Sequence, residues 1–178
     1  MLHDPYHLLK NFIPESFVNE IETNHKKAPI ISVDDRITEY SNNTLKLRPK
    51  ILTIGIGCNR GTSSKEIGDF LKKICQEFNL SMLSIKYLAS INIKKDESGL
   101  LNLSKEIDVP IRFYNKEELN SVTSIENPSE YAQKYIGARS VCEAAAILAS
   151  NSGKLIVAKN KTPNVTIAVA RKKIIYMS

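Results

Sequence analysis

The residues best suited to chemistry lie in one short stretch, Gly55-Ile56-Gly57-Cys58-Asn59-Arg60-Gly61-Thr62-Ser63. Glycines let a backbone approach a ligand closely, and the free N–H groups at a helix start attract anions. Arg60 adds a group that can hold a carboxylate or a phosphate through two hydrogen bonds. The spacing does not match a dinucleotide fingerprint, which needs Gly in place of Arg60, or a P-loop, which needs Gly-Lys-Ser/Thr. The stretch is therefore either an anion site or a tight strand-to-helix turn without a ligand.

Cys58, in the same stretch, has two interpretations. At a helix start beside Arg60, its thiol would have a lowered pKa and act as a nucleophile. As a small apolar group, it would simply pack. The three histidines of the chain all lie in the first 25 residues, so none is near Cys58 in sequence to serve as a base. The packing interpretation is favoured.

Two acidic positions also have alternative uses. Glu143 stands in a run of small residues and is either the ion-pair partner of Arg139, four residues earlier, or a functional acid. Taken on the residues alone, the ion pair is favoured. Asp96 and Glu97 lie at the start of a predicted helix, where they complement the helix dipole. A general acid/base role for Glu97 is the weaker alternative, because a single carboxylate in a charged loop is weak support for one.

The elements that must position these residues alternate between strands and helices. The run Ile51–Ile56 predicts a strand buried on both faces, and Ser63 with Glu66 predicts a capping box that opens a helix. The further predicted elements are strands at 87–93, 109–114, 155–158 and 165–170 and helices at 97–107, 116–122, from 127 and at 140–149. The order predicts a three-layer α/β/α domain with a mostly parallel or mixed sheet and a C-terminal β-hairpin. Ligands of such sheets bind beyond the carboxyl ends of the strands.

The last two strands are joined by a predicted loop that carries Lys159, Lys161 and Pro163. Two lysines at a hairpin are suited to binding carboxylates, and they equally protect an edge strand against aggregation. Both uses are compatible.

The first 49 residues differ from the rest. They predict a helix from Pro14 to about Asn24 and a short strand at Pro29–Val33, with too little apolar material for a core of their own. We predict residues 1–49 as part of a neighbouring domain or a linker, and residues 50–178 as the α/β domain.

Composition excludes several classes of protein. The chain has 178 residues, of which 42% are hydrophobic and 25% charged, and it has no apolar run near the ~20 residues of a membrane helix. Its start lacks the plan of a signal peptide, and its three cysteines have neither disulfide-framework nor metal-ligand spacing. We therefore expect a cytoplasmic protein without a metal site.

The net charge of +6 is concentrated in one part of the sequence. Acidic and basic residues balance up to residue 143, whereas residues 144–178 hold six basic residues and no acidic one. A patch of one sign attracts anions such as nucleic acid, an acidic membrane surface or a polyanionic small molecule. A solvated surface is the alternative.

Taken together and in order, several stretches resemble the C-terminal domain shared by the CbiG and CobE proteins of cobalamin biosynthesis. The matching stretches are residues 55–63, 89–91 with Lys94, 97–100, 109–114, 128–129, 137–146, and 165–170 with Lys159. Each motif is weak alone, but seven in register are strong. Residues 30–49 resemble the end of the CbiG central region, which favours CbiG over the stand-alone CobE type.

The resemblance implies a function. The CbiG family opens the ring-A lactone of cobalt-precorrin-5A and releases acetaldehyde, in the anaerobic route to vitamin B12. Family members are about twice this length, so we expect a C-terminal fragment that lacks the N-terminal CbiG domain, and it is open whether the fragment catalyses alone. No cofactor is expected, because the substrate carries the cobalt. A homodimer is left open.

The resemblance also raises particular residues as site candidates. Glu143 is the candidate catalytic base, and the N–H groups of residues 57–61 are the candidate donors to an oxyanion. The expected substrate-binding residues are Gly55, Gly57, Cys58, Arg60, Gly61, Thr62, Ser63, Lys159 and Lys161. The alternatives are a corrinoid-binding module without activity and, on the basic C-terminal residues alone, a nucleic-acid binder. The second lacks interleaved aromatic residues and any known motif.

Overall fold

The computed structural model describes residues 2–9, 29–39, 42–122 and 140–173. The predicted helices at 14–24 and from Asn127, and the predicted partner Arg139, lie outside the described residues. The elements in chain order are β1 (Leu2–His3), β2 (Ile30–Val33), β3 (Thr44–Leu47), β4 (Leu52–Cys58), α1 (Ser64–Glu77), β5 (Ile85–Ile91), α2 (Ser98–Glu106), β6 (Ile111–Tyr114), α3 (Lys116–Asn120), α4 (Val141–Ala149), β7 (Lys154–Lys161) and β8 (Val165–Arg171).

The main sheet has five strands in the order β6-β5-β4-β8-β7. Strands β4, β5 and β6 are parallel, whereas β8 runs antiparallel to β4 and pairs with β7 in an antiparallel hairpin at the sheet edge. The predicted mixed sheet with a C-terminal hairpin is confirmed.

Helices cover both faces of this sheet, so the predicted three layers are confirmed. Side chains of β4 alternate: Leu52, Ile54 and Ile56 enter a core with residues of α1 and α2, while Ala170 of β8 and Ala89 of β5 pack with α4 on the other face. The β4 side chains of the first core are fully buried, which stabilises the fold by about 1.5–3 kcal/mol for each large apolar side chain.

The helix after β4 begins where the sequence predicts it. Ser63 is the N-cap of α1, and its side-chain oxygen accepts a hydrogen bond from the Glu66 N–H at 3.1 Å. Only this half of the predicted capping box is described, because the Glu66 carboxylate accepts a hydrogen bond from the side-chain amide of Asn164 at 3.0 Å, which ties α1 to the β7–β8 turn. The helix ends before Asn79, whose φ of 54° is left-handed.

Close packing of α4 depends on Gly55. A Cβ at this position would lie 1.7 Å from the carbonyl oxygen of Cys142 and 2.9 Å from the backbone nitrogen of Ala146. Helix α4 presents buried alanines, Ala144 among them, to the sheet. A small residue on each side therefore brings the N-terminus of α4 close to the end of β4.

Strand β7 is longer than predicted, which corrects the position of two lysines. Lys159 and Lys161 belong to the strand and not to a loop, because backbone pairing to β8 continues to Lys161↔Thr166. The turn between β7 and β8 begins only at Thr162. The register of β7 shifts between Val157 and Asn160, so Lys159 stands in an irregular part of the ladder.

A second, three-stranded parallel sheet, β1-β2-β3, precedes the main one. Strand β2 confirms the strand predicted at 29–33, whereas β3 was not predicted, because it forms through pairing with β2 while its leucines stay exposed. Buried Asp35 joins the two parts: it accepts hydrogen bonds from Arg171 at 2.9 and 3.2 Å and from the Tyr6 hydroxyl at 2.5 Å. The boundary between residues 49 and 50 stays a prediction.

In the described residues, no helix is long and apolar enough to cross a membrane, and no group of three or more His, Cys, Asp or Glu side chains is placed to hold a metal ion.

Candidate functional site

A cleft of about 140 Å³ opens beyond the carboxyl ends of β4 and β5, where ligands of α/β sheets are expected. Its walls are the end of β4, the turn after β5, the N-terminus of α4 and the β7–β8 turn. Polar and thiol side chains line it, among them those of Cys58, Ser90, Lys94, Cys142, Lys159 and Thr166. Among the described residues that line the cleft, two are lysines and none is acidic.

The glycine-rich stretch meets this cleft only at its beginning. Gly57, Cys58 and Asn59 line it, whereas Arg60, Gly61, Thr62 and Ser63 do not. Gly55 lies beneath α4 and serves packing. Thr62 is buried and its hydroxyl donates to the Asn59 carbonyl at 2.8 Å, and Ser63 caps α1.

Two backbone donors of this stretch already have acceptors within the protein. The Asn59 N–H donates to the Asn164 carbonyl at 2.9 Å, and the Gly61 N–H donates to Glu97 Oε1 at 2.8 Å. Gly61 adopts a φ of 78°, which favours glycine. These two N–H groups are therefore occupied in holding the turn, which corrects the expectation of free donors to an oxyanion at Asn59 and Gly61.

Arg60 points away from the cleft. Its guanidinium is exposed and donates to Asp96 Oδ1 and to the Ile93 carbonyl, each at 2.7 Å. Arg60 therefore stabilises the turn. To bind a ligand in the cleft, its guanidinium would first have to break these two hydrogen bonds.

Two thiols lie on the cleft wall. Burial raises the pKa of Cys58, although the nearby Lys94 and Arg60 act in the opposite direction. Burial also raises the pKa of Cys142. Both groups therefore stay protonated at neutral pH, which fits the packing interpretation of Cys58 and not an activated nucleophile.

Glu143 lies behind the cleft wall. Glu143 is fully buried and does not line the cleft. Its Oε1 accepts a hydrogen bond from the Lys159 N–H at 2.8 Å. This bond ties α4 to the irregular part of β7 and positions Lys159, which does line the cleft. Lys161 is exposed and does not line it.

Lys94 was absent from the residues expected to bind substrate. It lies in the 3₁₀ turn Asn92–Lys94, which ends β5 two residues before the predicted Ile93. Its side chain is only 10% exposed, and its Nζ is 3.7 Å from Glu97 Oε2. The sequence did contain a signal for Lys94, because this lysine lies at the carboxyl end of a predicted strand, where ligands of such sheets bind.

The basic residues of the C-terminal segment do not form one patch, which corrects the sequence-based expectation. Strand β8 runs from Val165 beside the cleft to Arg171 at the other end of the sheet, and its six steps of about 3.4 Å separate these ends by about 20 Å. Arg171 pairs with Asp35, and Lys154 lies opposite Arg171 in the hairpin. Of the six basic residues, only Lys159 lines the cleft.

The fold and the site define a class: a three-layer α/β domain whose small, basic cleft opens beyond the carboxyl ends of parallel strands. Within this class, residues 52–170 match the family model described as the C-terminus of cobalamin synthesis protein G. The match spans more than half of the chain, and the chain belongs to this family.

The relatives agree with this assignment. The chain is 46% identical over 128 residues to a cobalt-precorrin-5A hydrolase of Priestia megaterium, which covers 72% of this chain and 34% of that protein. It is 28% identical over 155 residues to a probable cobalt-precorrin-5A hydrolase of Methanocaldococcus jannaschii, covering 81% of this chain and 48% of that protein. The chain thus spans about a third to a half of the curated hydrolases it matches.

Solved structures show the same fold. A crystal structure of CobE, a protein from the cobalamin biosynthetic pathway, superposes with a TM-score of 0.67 at 32% identity and covers 72% of this chain and 94% of that chain. A putative cobalamin biosynthesis protein G homologue from Sulfolobus solfataricus has a TM-score of 0.58 at 30% identity, covering 81% of this chain and 44% of that chain. The 46% identity to the Priestia hydrolase exceeds the 29% identity to a CobE protein of Sinorhizobium.

Proposed function

We propose that this chain is the C-terminal part of a cobalt-precorrin-5A hydrolase, and that its cleft binds a carboxylate-bearing edge of the corrinoid substrate. One observation carries the proposal: in a member of this family, the described lining of the cleft beyond β4 and β5 holds two lysines and no acidic residue. Charge of this kind favours a ligand that bears carboxylates.

The size of the cleft supports binding of one edge and not of the whole substrate. Its volume of about 140 Å³ lies below the roughly 300–1,000 Å³ of sites that enclose a drug-sized ligand. A corrinoid macrocycle therefore rests mostly outside it. The partner in this proposal is the N-terminal part of the protein, which supplies the remaining contacts.

The proposed reaction has two steps. Water attacks the ring-A lactone carbonyl, the acyl C–O bond breaks, and a carboxylate and an alcohol result. A base then removes the alcohol proton, the adjacent carbon–carbon bond breaks, acetaldehyde leaves, and the electron pair stays on the ring carbon, where it is protonated. Cobalt belongs to the substrate, and no cofactor is proposed. The proposal places the protein in the cytoplasm, with no membrane or nucleic-acid partner.

Glu143 remains the predicted base, although its contacts support a positioning role. A base must reach the proton that it removes, directly or through one water. The described Glu143 carboxylate instead accepts the Lys159 N–H and is enclosed. Through this bond it orients a cleft-lining lysine, which affects substrate binding more than proton transfer.

The test is acetaldehyde release from cobalt-precorrin-5A, measured with the full chain alone and with the N-terminal part of the Priestia megaterium relative added. We expect saturable binding of substrate by the chain and acetaldehyde release in the mixture. Binding without release in either sample would instead identify a corrinoid-binding module, and absence of binding would contradict the proposal. A salt-dependent shift with oligonucleotides would point to the nucleic-acid alternative.

A further inference from the structure

We propose that the cleft is a subsite for one short alkyl carboxylate, and that Lys94 is the cation that binds it. The inference rests on the proposed function only for the identity of the natural ligand, a carboxylate arm of the corrinoid. The binding chemistry itself follows from the cleft.

Lys94 is a largely buried lysine whose ammonium has no hydrogen-bond acceptor in the described part of the chain. Its side chain is 10% exposed, and its only described ionic contact is Glu97 Oε2 at 3.7 Å, beyond hydrogen-bond distance. An ammonium has three donors, and those of Lys94 are open to an acceptor from outside the protein. A ligand oxygen in the adjoining cleft would supply the missing acceptor.

Glu97 forms an ion pair with Lys94 but lies too far away to accept a hydrogen bond from it. Glu97 Oε1 accepts the Gly61 N–H at 2.8 Å, while buried Oε2 has no hydrogen-bond partner and lies 3.7 Å from both Arg60 and Lys94. Gly99, just after it, packs so closely on the Thr62 carbonyl that a Cβ would approach to 2.0 Å. The turns after β4 and β5 are therefore fastened together, and Glu97, the ion-pair partner of Lys94, belongs to this junction.

The other cleft walls select an alkyl chain over an inorganic anion. Ile91, Val141, Pro163 and Val165 line the cleft beside the two thiols. Such walls suit methylene groups and leave a fully polar ion such as phosphate poorly matched. The volume of about 140 Å³ equals that of roughly five waters, which suits an acetate- or propionate-sized arm.

The test is a titration of the full, ¹⁵N-labelled chain with sodium propionate at constant ionic strength, followed by NMR. We expect saturable shifts of the Lys94 ammonium and of the Ser90, Cys142 and Thr166 amides. Inorganic phosphate and 1-propanol should bind at least ten-fold more weakly. Equal or tighter binding of phosphate would overturn the alkyl-carboxylate assignment, and equal binding of 1-propanol would overturn the role of the cation.

Matched variants test Lys94 itself. Lys94→Met should weaken propionate binding at least ten-fold, whereas Lys95→Met, which removes the same charge from the exposed neighbour, should change it less than two-fold. Equal effects of the two variants would contradict the proposal. If Lys94→Met does not fold, the Lys94 ammonium signal of the unsubstituted protein decides, because an unshifted signal at saturating propionate refutes direct binding. Propionate binding without acetaldehyde release would refute only the hydrolase proposal. Acetaldehyde release without propionate binding would refute only the subsite.

Discussion

Gly55→Ala tests whether the close packing of α4 on the sheet determines the shape of the cleft. A Cβ at this position would lie 1.7 Å from the Cys142 carbonyl oxygen, whereas ordinary contacts begin at 3.4 Å. The N-terminus of α4 must therefore retreat by about 1.7 Å, the difference of these two distances. The obstacle is helix backbone, which has no rotamer to change, so we expect a loss near the upper end of overpacking costs, about 3 kcal/mol.

The assay is urea and thermal unfolding of the variant beside the unsubstituted chain. A loss of about 3 kcal/mol corresponds to a Tm lower by about 6–12 °C in a protein of this size. Gly68→Ala is the matched control, because it lies within α1 and its Cβ meets only the Leu103 Cδ1 atom at 3.2 Å, the end of a flexible side chain. Helix propensity favours alanine there by up to about 1 kcal/mol.

The displaced helix should also distort the cleft, since Cys142 lines it. We therefore expect Gly55→Ala to weaken propionate binding under conditions in which the variant is still folded. An unfolding midpoint equal to that of the unsubstituted chain would show that α4 is not seated against Gly55, and the account of the cleft would be wrong.

Three further predictions concern single side chains. Glu143→Gln keeps an oxygen that can accept the Lys159 N–H, so a positioning role predicts acetaldehyde release within a few-fold of normal in the reconstituted assay, whereas loss of about 100-fold or more would establish Glu143 as the base. Arg171→Met leaves the buried Asp35 carboxylate without its cation and should lower the free energy of unfolding by about 3–5 kcal/mol, measured in urea; a change below ~1 kcal/mol would show that this ion pair does not join the two sheets. Because burial raises the pKa of Cys58, its alkylation by iodoacetamide at pH 8 should be slower than that of the same residue in the urea-unfolded chain and should still increase above pH 9, as the thiol loses its proton; faster alkylation than in the unfolded chain at pH 7 would indicate a thiolate and contradict the packing interpretation.

Local sequence determined the elements of this protein and their order. The apolar run before Gly57, the cap at Ser63 and the alanines after Glu143 each act on neighbours in the chain, so strand, helix start and close-packed helix could be predicted from composition and spacing. The alternation of elements then predicted the three layers and the edge of the sheet at which a ligand binds.

Tertiary structure decided which residues reach the cleft. Arg60 and Lys94 are both basic and both follow a strand, yet Arg60 bonds outward to Asp96 while Lys94 is enclosed beside the cleft. The direction of β8 likewise carries Arg171 about 20 Å from Val165, so charges close in sequence lie at opposite ends of the sheet. Burial and hydrogen-bond partners come from elements distant in sequence, as with Glu143 and the Lys159 N–H, and a linear pattern does not contain them.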